Sequence, residues 1–277
     1  MHWSEIETVA EGQFRLAVLG DGSDADLTGK ALRAALEQAR PNGEVVGVEC
    51  GPEEFSRCIE RLIELGFQGA SISNPFKPEA AKLAKQFFIV RHGLGVANAL
   101  KLGRDIYAQN TEVPAFTSKI KDLKPGLALV MGSGRAARSA VMSLFECGWR
   151  IRVWNRNIIR SRPLAVAFET YGKVDLCSQP DPFGCSLIVN ATPLGAKAGE
   201  QPPVKWTNSV PKTTAIDFVY RTVATEYLRS ASQRGFKTVD GKELLVEQAA
   251  LALEWWLGEA VPREPMLDAV GVRGLRQ

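Results

Sequence analysis

The chain has 277 residues, 45% hydrophobic and 23% charged, ordinary values for a globular protein able to bury a substantial core. Its 34 basic and 31 acidic residues leave a net charge of +3. That balance gives no reason to expect a nucleic-acid surface, and no apolar run reaches membrane-spanning length. The expected partner is a small molecule, with no nucleic acid and no membrane, as monomer or homodimer. The opening Met1-His2-Trp3-Ser4-Glu5 lacks a basic-then-apolar leader, so the expected location is cytoplasmic. The five cysteines (Cys50, Cys58, Cys147, Cys177, Cys185) show no C-x-x-C pairing, and the only histidines are His2 and His92. A disulfide framework, a zinc site and a histidine triad are therefore all disfavoured, no metal is expected, and proton chemistry falls to Lys, Asp, Glu or Tyr.

The first hundred residues alternate strand-like and helix-like stretches. Phe14–Gly20 is a short apolar run ended by an Asp21-Gly22 turn. Gly29–Ala39 has helical spacing, Glu44–Glu49 reads as a strand, Glu53–Leu65 as a helix closed by Gly66, and Gly69–Ser73 as a third strand. This rhythm predicts a mainly parallel sheet covered by helices. Next comes Ser71-Ile72-Ser73-Asn74-Pro75-Phe76-Lys77, with Pro78 in the first turn of a helix behind it. An ammonium at a helix N-terminus faces the positive end of the macrodipole, which favours its neutral form and suits a lysine that exchanges protons. Residues 88–104 carry Gly93, Gly95 and Gly103 and read as irregular or hairpin structure.

Linkers are expected near residues 107–116 and 236–243, bounding a second α/β unit. Leu127–Met131 is a continuous apolar run, as in a fully buried strand. Gly132-Ser133-Gly134-Arg135-Ala136-Ala137 follows and opens an Ala-rich helix, Ala136–Cys147, ended by Gly148. In this context Gly132 permits the tight turn, Gly134 lets the backbone approach a pyrophosphate, and Ala137 keeps helix and strand close. The next strand, Arg150–Trp154, ends in Asn155-Arg156-Asn157-Ile158-Ile159-Arg160, where NAD-binding units usually place an acid for the ribose 2′-hydroxyl. Arg156 and Arg160 suit a 2′-phosphate by charge and by their planar forks of donors. The cofactor expected is NADP. Strands are also read at Ser186–Asn190 and Thr214–Phe218 and a long helix at Lys242–Leu257. The tail is unassigned.

Several motifs, in order, resemble those of the shikimate dehydrogenase family. Ser71–Lys77 is similar to its NxTxPFK, Gly95–Leu100 to its GAVNTL, Gln109-Asn110-Thr111-Glu112 to its GxNTD, and Gly132–Ala137 with Asn155–Arg160 to its glycine loop and NRTxxR. Asn190–Gly195 reproduces NATPLG, Asp217–Tyr220 resembles DxVY, and Gly241–Gln248 resembles G-x-x-M-L-V-x-Q. The resemblance implies a two-domain α/β enzyme of aromatic amino acid biosynthesis with its active site in the cleft. Residues 1–110 with 244–277 would form the substrate domain, and 111–243 a Rossmann-type NADP domain. It further implies that hydride passes between NADP(H) and a ring alcohol or ketone while Lys77 and Glu112 handle the proton. Asn98 and Gln248 would hold ring hydroxyls, and Tyr220 would sit near the substrate carboxylate. Cofactor contacts would extend to Ser133, Arg135, Ala136, Asn155, Thr192, Pro193, Leu194 and Gly241.

Departures gather on the substrate side. The family aspartate is Glu112 here, one methylene longer. The serine pair that receives the substrate carboxylate falls on Asp26 and Thr28, and the NxT pair on Ser71 and Ser73. Two like charges at about 4 Å repel by ~4 kcal/mol at an effective dielectric near 20, so Asp26 either turns away or faces a substrate without a carboxylate. Cofactor motifs kept while pocket contacts drift fits a shift of specificity. The reading is an NADP-dependent dehydrogenase for which shikimate is a poor substrate. The alternatives are a genuine shikimate dehydrogenase and a catalytically idle NADPH-binding relative.

Overall fold

The computed structural model describes residues 1–6, 12–20, 22–87 and 95–272. The chain divides into two compact units, Met1–Thr111 with Leu245–Gln277, and Glu112–Leu244.

The first unit is built on β1 (Arg15–Leu19), α1 (Gly22–Ala39), β2 (Glu44–Val48), α2 (Phe55–Glu64), β3 (Gly69–Ile72), α3 (Lys77–Leu83), β4 (Gln86–Phe87), β5 (Ala99–Lys101) and β6 (Tyr107–Gln109). Its sheet runs β2-β1-β3-β5-β6-β4. β1 pairs in parallel with β2 and β3, whereas β5 runs antiparallel to both β3 and β6. Every residue of β1 is buried, as the apolar run Leu16–Leu19 requires of a strand covered on both faces, and Arg15 is bonded to Glu44.

The second unit contains α4 (Glu112–Ile120), β7 (Leu127–Met131), α5 (Arg135–Glu146), β8 (Arg150–Trp154), α6 (Arg162–Ala167), β9 (Val174–Cys177), β10 (Leu187–Asn190), β11 (Thr214–Asp217), α7 (Glu226–Ser232) and β12 (Lys237–Val239). Its sheet is wholly parallel, in the order β12-β11-β10-β7-β8-β9. From β7 the chain winds outward to β9, then returns to β10 and winds the other way. The order reverses between β7 and β10, and ligands of such sheets bind at the carboxyl ends of the strands there. α8 (Gly241–Leu257) begins in this unit and ends in the first, and α9 (Glu264–Ala269) follows it.

In the first unit Trp256 of α8 lies on Gly69 of β3. A Cβ built on that glycine would fall 2.6 Å from the indole, and the indole N–H donates to the Leu100 carbonyl at 2.9 Å. Only glycine leaves room for the ring at this point of the sheet.

Several expectations need correction. The first helix starts at Gly22, not Gly29. Gly22 is thus helical rather than part of a turn. The unit boundaries fall within 107–116 and just past 236–243, but as regular structure rather than open linker: β6 and the start of α4 occupy much of the first, and β12 and the start of α8 lie in the second. The unassigned tail contains α9, which packs on α1. Asp21, His92 and Gly93 lie outside the described residues. No helix among the described residues is long and apolar enough to cross a membrane.

Candidate active site

At the carboxyl end of β7 the backbone turns through Gly132 with φ +113. Its N–H donates to Trp154 at the end of β8 at 2.8 Å, and an added Cβ would fall 2.6 Å from the Ala191 carbonyl oxygen. Glycine is therefore required here by both conformation and space. Gly134, the N-cap of α5, has nothing within 4 Å of an added Cβ, so the space beside the start of this twelve-residue helix is open. Ser133 is held by Asn155, whose amide donates to its Oγ at 2.7 Å. Arg135 and Gly134 are exposed and Ala136 is half-buried. Arg156 and Arg160 are also exposed, and neither guanidinium has a carboxylate partner among the described residues.

The ends of β10 and β11 form one buried network. Asn190 and Asp217 are register partners on adjacent parallel strands. The Asn190 amide donates to Asp217 Oδ1 at 2.8 Å and to the Leu194 carbonyl at 2.9 Å, while its Oδ1 accepts from Thr192 Oγ1 at 2.7 Å. Leu194 N–H closes the loop onto Thr192 Oγ1 at 3.2 Å. Asp217 also accepts from Val219 N at 3.0 Å and from Thr225 Oγ1, the N-cap of α7, at 2.6 Å. Burial raises its carboxyl to about 7, against the opposing pull of these bonds. The network thus shapes the turn holding Thr192, Pro193 and Leu194. Gly241 packs so closely on the following segment that a Cβ would lie 2.7 Å from the Val219 carbonyl and 2.9 Å from the Tyr220 ring.

In the first unit, β3 leads into Ser71 and Ser73, both buried. A cis Asn74-Pro75 bond follows, and Lys77 opens α3 half-buried. The Lys77 carbonyl accepts from Ala97 N at 2.9 Å, and the Asn98 carbonyl accepts from Ile72 N at 2.8 Å. Asn98 then joins two further segments. Its Oδ1 accepts from Thr111 N at 2.8 Å, and its Nδ2 donates to Thr111 Oγ1 at 2.9 Å and to Gln248 Oε1 at 3.4 Å. Thr111 Oγ1 donates onward to the Gln248 carbonyl at 3.0 Å. Asn98, Thr111 and Gln248, far apart in sequence, are thereby drawn into one network, and the backbone of Lys77 is tied to Ala97 at its edge.

Two candidates stand elsewhere in their units. Asp26 is exposed on α1, with Thr28 buried beside it. Asp26 lines a hollow of about 560 Å³ with Gly20, Lys30, Arg33 and Glu49, and Gly20 in turn packs directly on Ser73. Glu112, buried at the start of α4, accepts from Ser139 Oγ of α5 at 2.9 Å.

Residues 241–270 match the family described as Shikimate 5'-dehydrogenase C-terminal domain. A shikimate dehydrogenase (NADP(+)) of Paracoccus denitrificans is 32% identical over 235 residues, 81% of this chain and 83% of that protein. The chain belongs to the shikimate dehydrogenase family. Among solved structures, a Thermus thermophilus shikimate 5-dehydrogenase in complex with NADP(H) and shikimate superposes with a TM-score of 0.83. It is 27% identical and covers 93% of this chain and 98% of its own. A ligand-free 5-ketofructose reductase of Gluconobacter superposes with a TM-score of 0.86 at 18% identity, covering 94% of this chain and 99% of its own, a likeness of fold.

Within this shikimate dehydrogenase framework, the glycine turn and arginines fit a phosphorylated dinucleotide: open space above the α5 N-terminus for the pyrophosphate, and two uncommitted guanidinium groups for a 2′-phosphate. Sequence reasoning missed Thr111, which binds both Asn98 and Gln248, and the Asn190–Asp217–Thr225 network. The second had a signal in the sequence. Asn190 and Asp217 are polar residues that each close a buried strand directly after apolar residues, and such groups need partners when buried.

Proposed function

We propose that the chain is an NADP-dependent oxidoreductase of the shikimate dehydrogenase type, transferring hydride reversibly between NADP(H) and a ring secondary alcohol or ketone. The observation that carries this reading is the Asn98–Thr111–Gln248 network with Lys77 backbone-bonded to the neighbouring Ala97, in the unit that lacks the glycine turn. A protein that merely bound the dinucleotide would have no use for it.

The second unit serves as the cofactor domain and the first as the substrate domain. Gly132, Ser133, Gly134, Arg135 and Ala136 receive the pyrophosphate, Asn155, Arg156 and Arg160 the phosphorylated ribose, and Thr192, Pro193, Leu194 and Gly241 the nicotinamide end. The bound cofactor supplies or accepts the hydride. In oxidation Lys77 takes the hydroxyl proton as the carbon gives up hydride, and in reduction its ammonium returns that proton to the carbonyl oxygen. Glu112 is the acid/base partner of Lys77. Asn98 and Gln248 orient ring hydroxyls, with Ser71 and Ser73 as further hydroxyl contacts and Thr28 and Tyr220 near the place of a substrate carboxylate. Their place in a preformed network favours orientation over induced rearrangement.

The test is NADP⁺ reduction followed spectrophotometrically with shikimate, quinate, an aminoshikimate and neutral cyclic alcohols. Turnover of a cyclic alcohol with shikimate lagging supports the proposal. No turnover across the panel, with NADPH binding retained, would leave the idle binding relative.

A further inference from the structure

Helix α5 does more than present its N-terminus. Ser139 is 1% exposed, and its Oγ donates to the Glu112 carboxylate at 2.9 Å. One turn later Ser143 Oγ donates to the Val113 carbonyl at 2.9 Å and to the Ser139 carbonyl at 3.1 Å. Residues four apart share a helix face, so one face of α5 grips two successive residues of α4. Serine is a modest helix former whose hydroxyl commonly bonds its own helix backbone, and Ser143 does so. Ser139 instead bonds a carboxylate, and hydrogen bonds to a charged acceptor are roughly twice as strong as neutral ones. Its helical neighbours Ala136, Ala137 and Ala140 make alanine the default filling at this position. The hydroxyl therefore has a purpose beyond helix formation.

A glutamate has one more side-chain torsion than an aspartate, and that torsion must be fixed before its carboxylate can act at a defined point. We propose that Ser139 is a positioning residue that fixes the Glu112 carboxylate for proton transfer, absorbing the extra methylene by anchoring it to the helix behind the glycine turn. The inference rests on the acid/base reading of Glu112.

The experiment is a double-mutant cycle of Ser139→Ala with Glu112→Gln, read as kcat, KM and the pH profile of kcat/KM on the best substrate, with circular dichroism to confirm folding. With Glu112 present, Ser139→Ala should lower kcat by roughly tenfold to 100-fold with little change in KM. It should also move the acid limb of the profile to higher pH, since a donor that favours the charged carboxylate is gone. In the Glu112→Gln background it should do neither. Ser143→Ala, which loses only bonds to backbone, should leave the profile in place. An equal loss in both backgrounds, or no loss with Glu112 present, overturns the proposal. Full turnover in Glu112→Gln alone would remove the acid/base reading itself, and the proposal with it.

Discussion

Lys77 opens a helix at the edge of a hydrogen-bonded cluster, so its removal should cost chemistry rather than folding. Lys77→Ala is expected to lower kcat by about 10²–10⁴-fold, with NADPH binding unchanged by fluorescence titration. A variant retaining most of its turnover would refute the proton-transfer role. Asp217 makes a different kind of demand. Burial raises its carboxyl from 3.8 to about 7. Between those values the folded state holds a proton that the unfolded state has released. The associated stability is complete below the unfolded value and is lost as pH rises through the folded one. Asp217→Asn should therefore flatten the dependence of stability on pH between about 4 and 7, measured by urea unfolding across that range. It should also lower stability by about 1–3 kcal/mol, because donors aimed at the carboxylate lose acceptors. An unchanged slope would mean that the hydrogen bonds outweigh burial and keep the group ionised.

Elements were legible where one pattern ruled their length. Leu127–Met131 follows directly from a continuous apolar run, Arg150–Trp154 from apolar residues alternating with two arginines at strand spacing, and Gly66 and Gly148 mark helix ends where φ is +76 and +75. The short strands β9 and β12 and the helix α9 escaped, because their stability comes from neighbours rather than from any periodicity of their own. The glycine turn was readable because its mechanism is local. The Asn98–Thr111–Gln248 network was readable only in part: its members stood out by resemblance to known motifs, but nothing in the sequence showed that their polar atoms bind one another. The glycine turn also yields a prediction at this scale. Gly132→Ala should cost about 1–3 kcal/mol, because its backbone is left-handed and its Cβ would press on the Ala191 carbonyl. Thermal unfolding and NADPH titration should show stability and affinity falling together, and an unaltered affinity would separate the turn from cofactor binding.

For the whole molecule, a ligand that binds only the folded state stabilises by mass action, by about 2.7 kcal/mol at 100 times Kd. At equal concentrations NADPH should raise the Tm well above NADH, and Arg156→Ala should erase most of that difference. Equal shifts from both cofactors in the native chain would dismiss the arginines as readers of a 2′-phosphate. The indole of Trp256, seated on Gly69 and bonded to Leu100, has a consequence of another kind. The first unit is discontinuous, and its closing piece lies beyond the whole of the second. A ribosome delivers β1, β2 and β3 early, but the ring that covers β3 emerges only after Glu112–Leu244 has been made. The inserted unit can complete its own sheet while the chain is still growing, as domains generally fold in units during synthesis. The unit that begins first must finish last, and until then the groove over Gly69 stays open to whatever apolar surface the cell offers it.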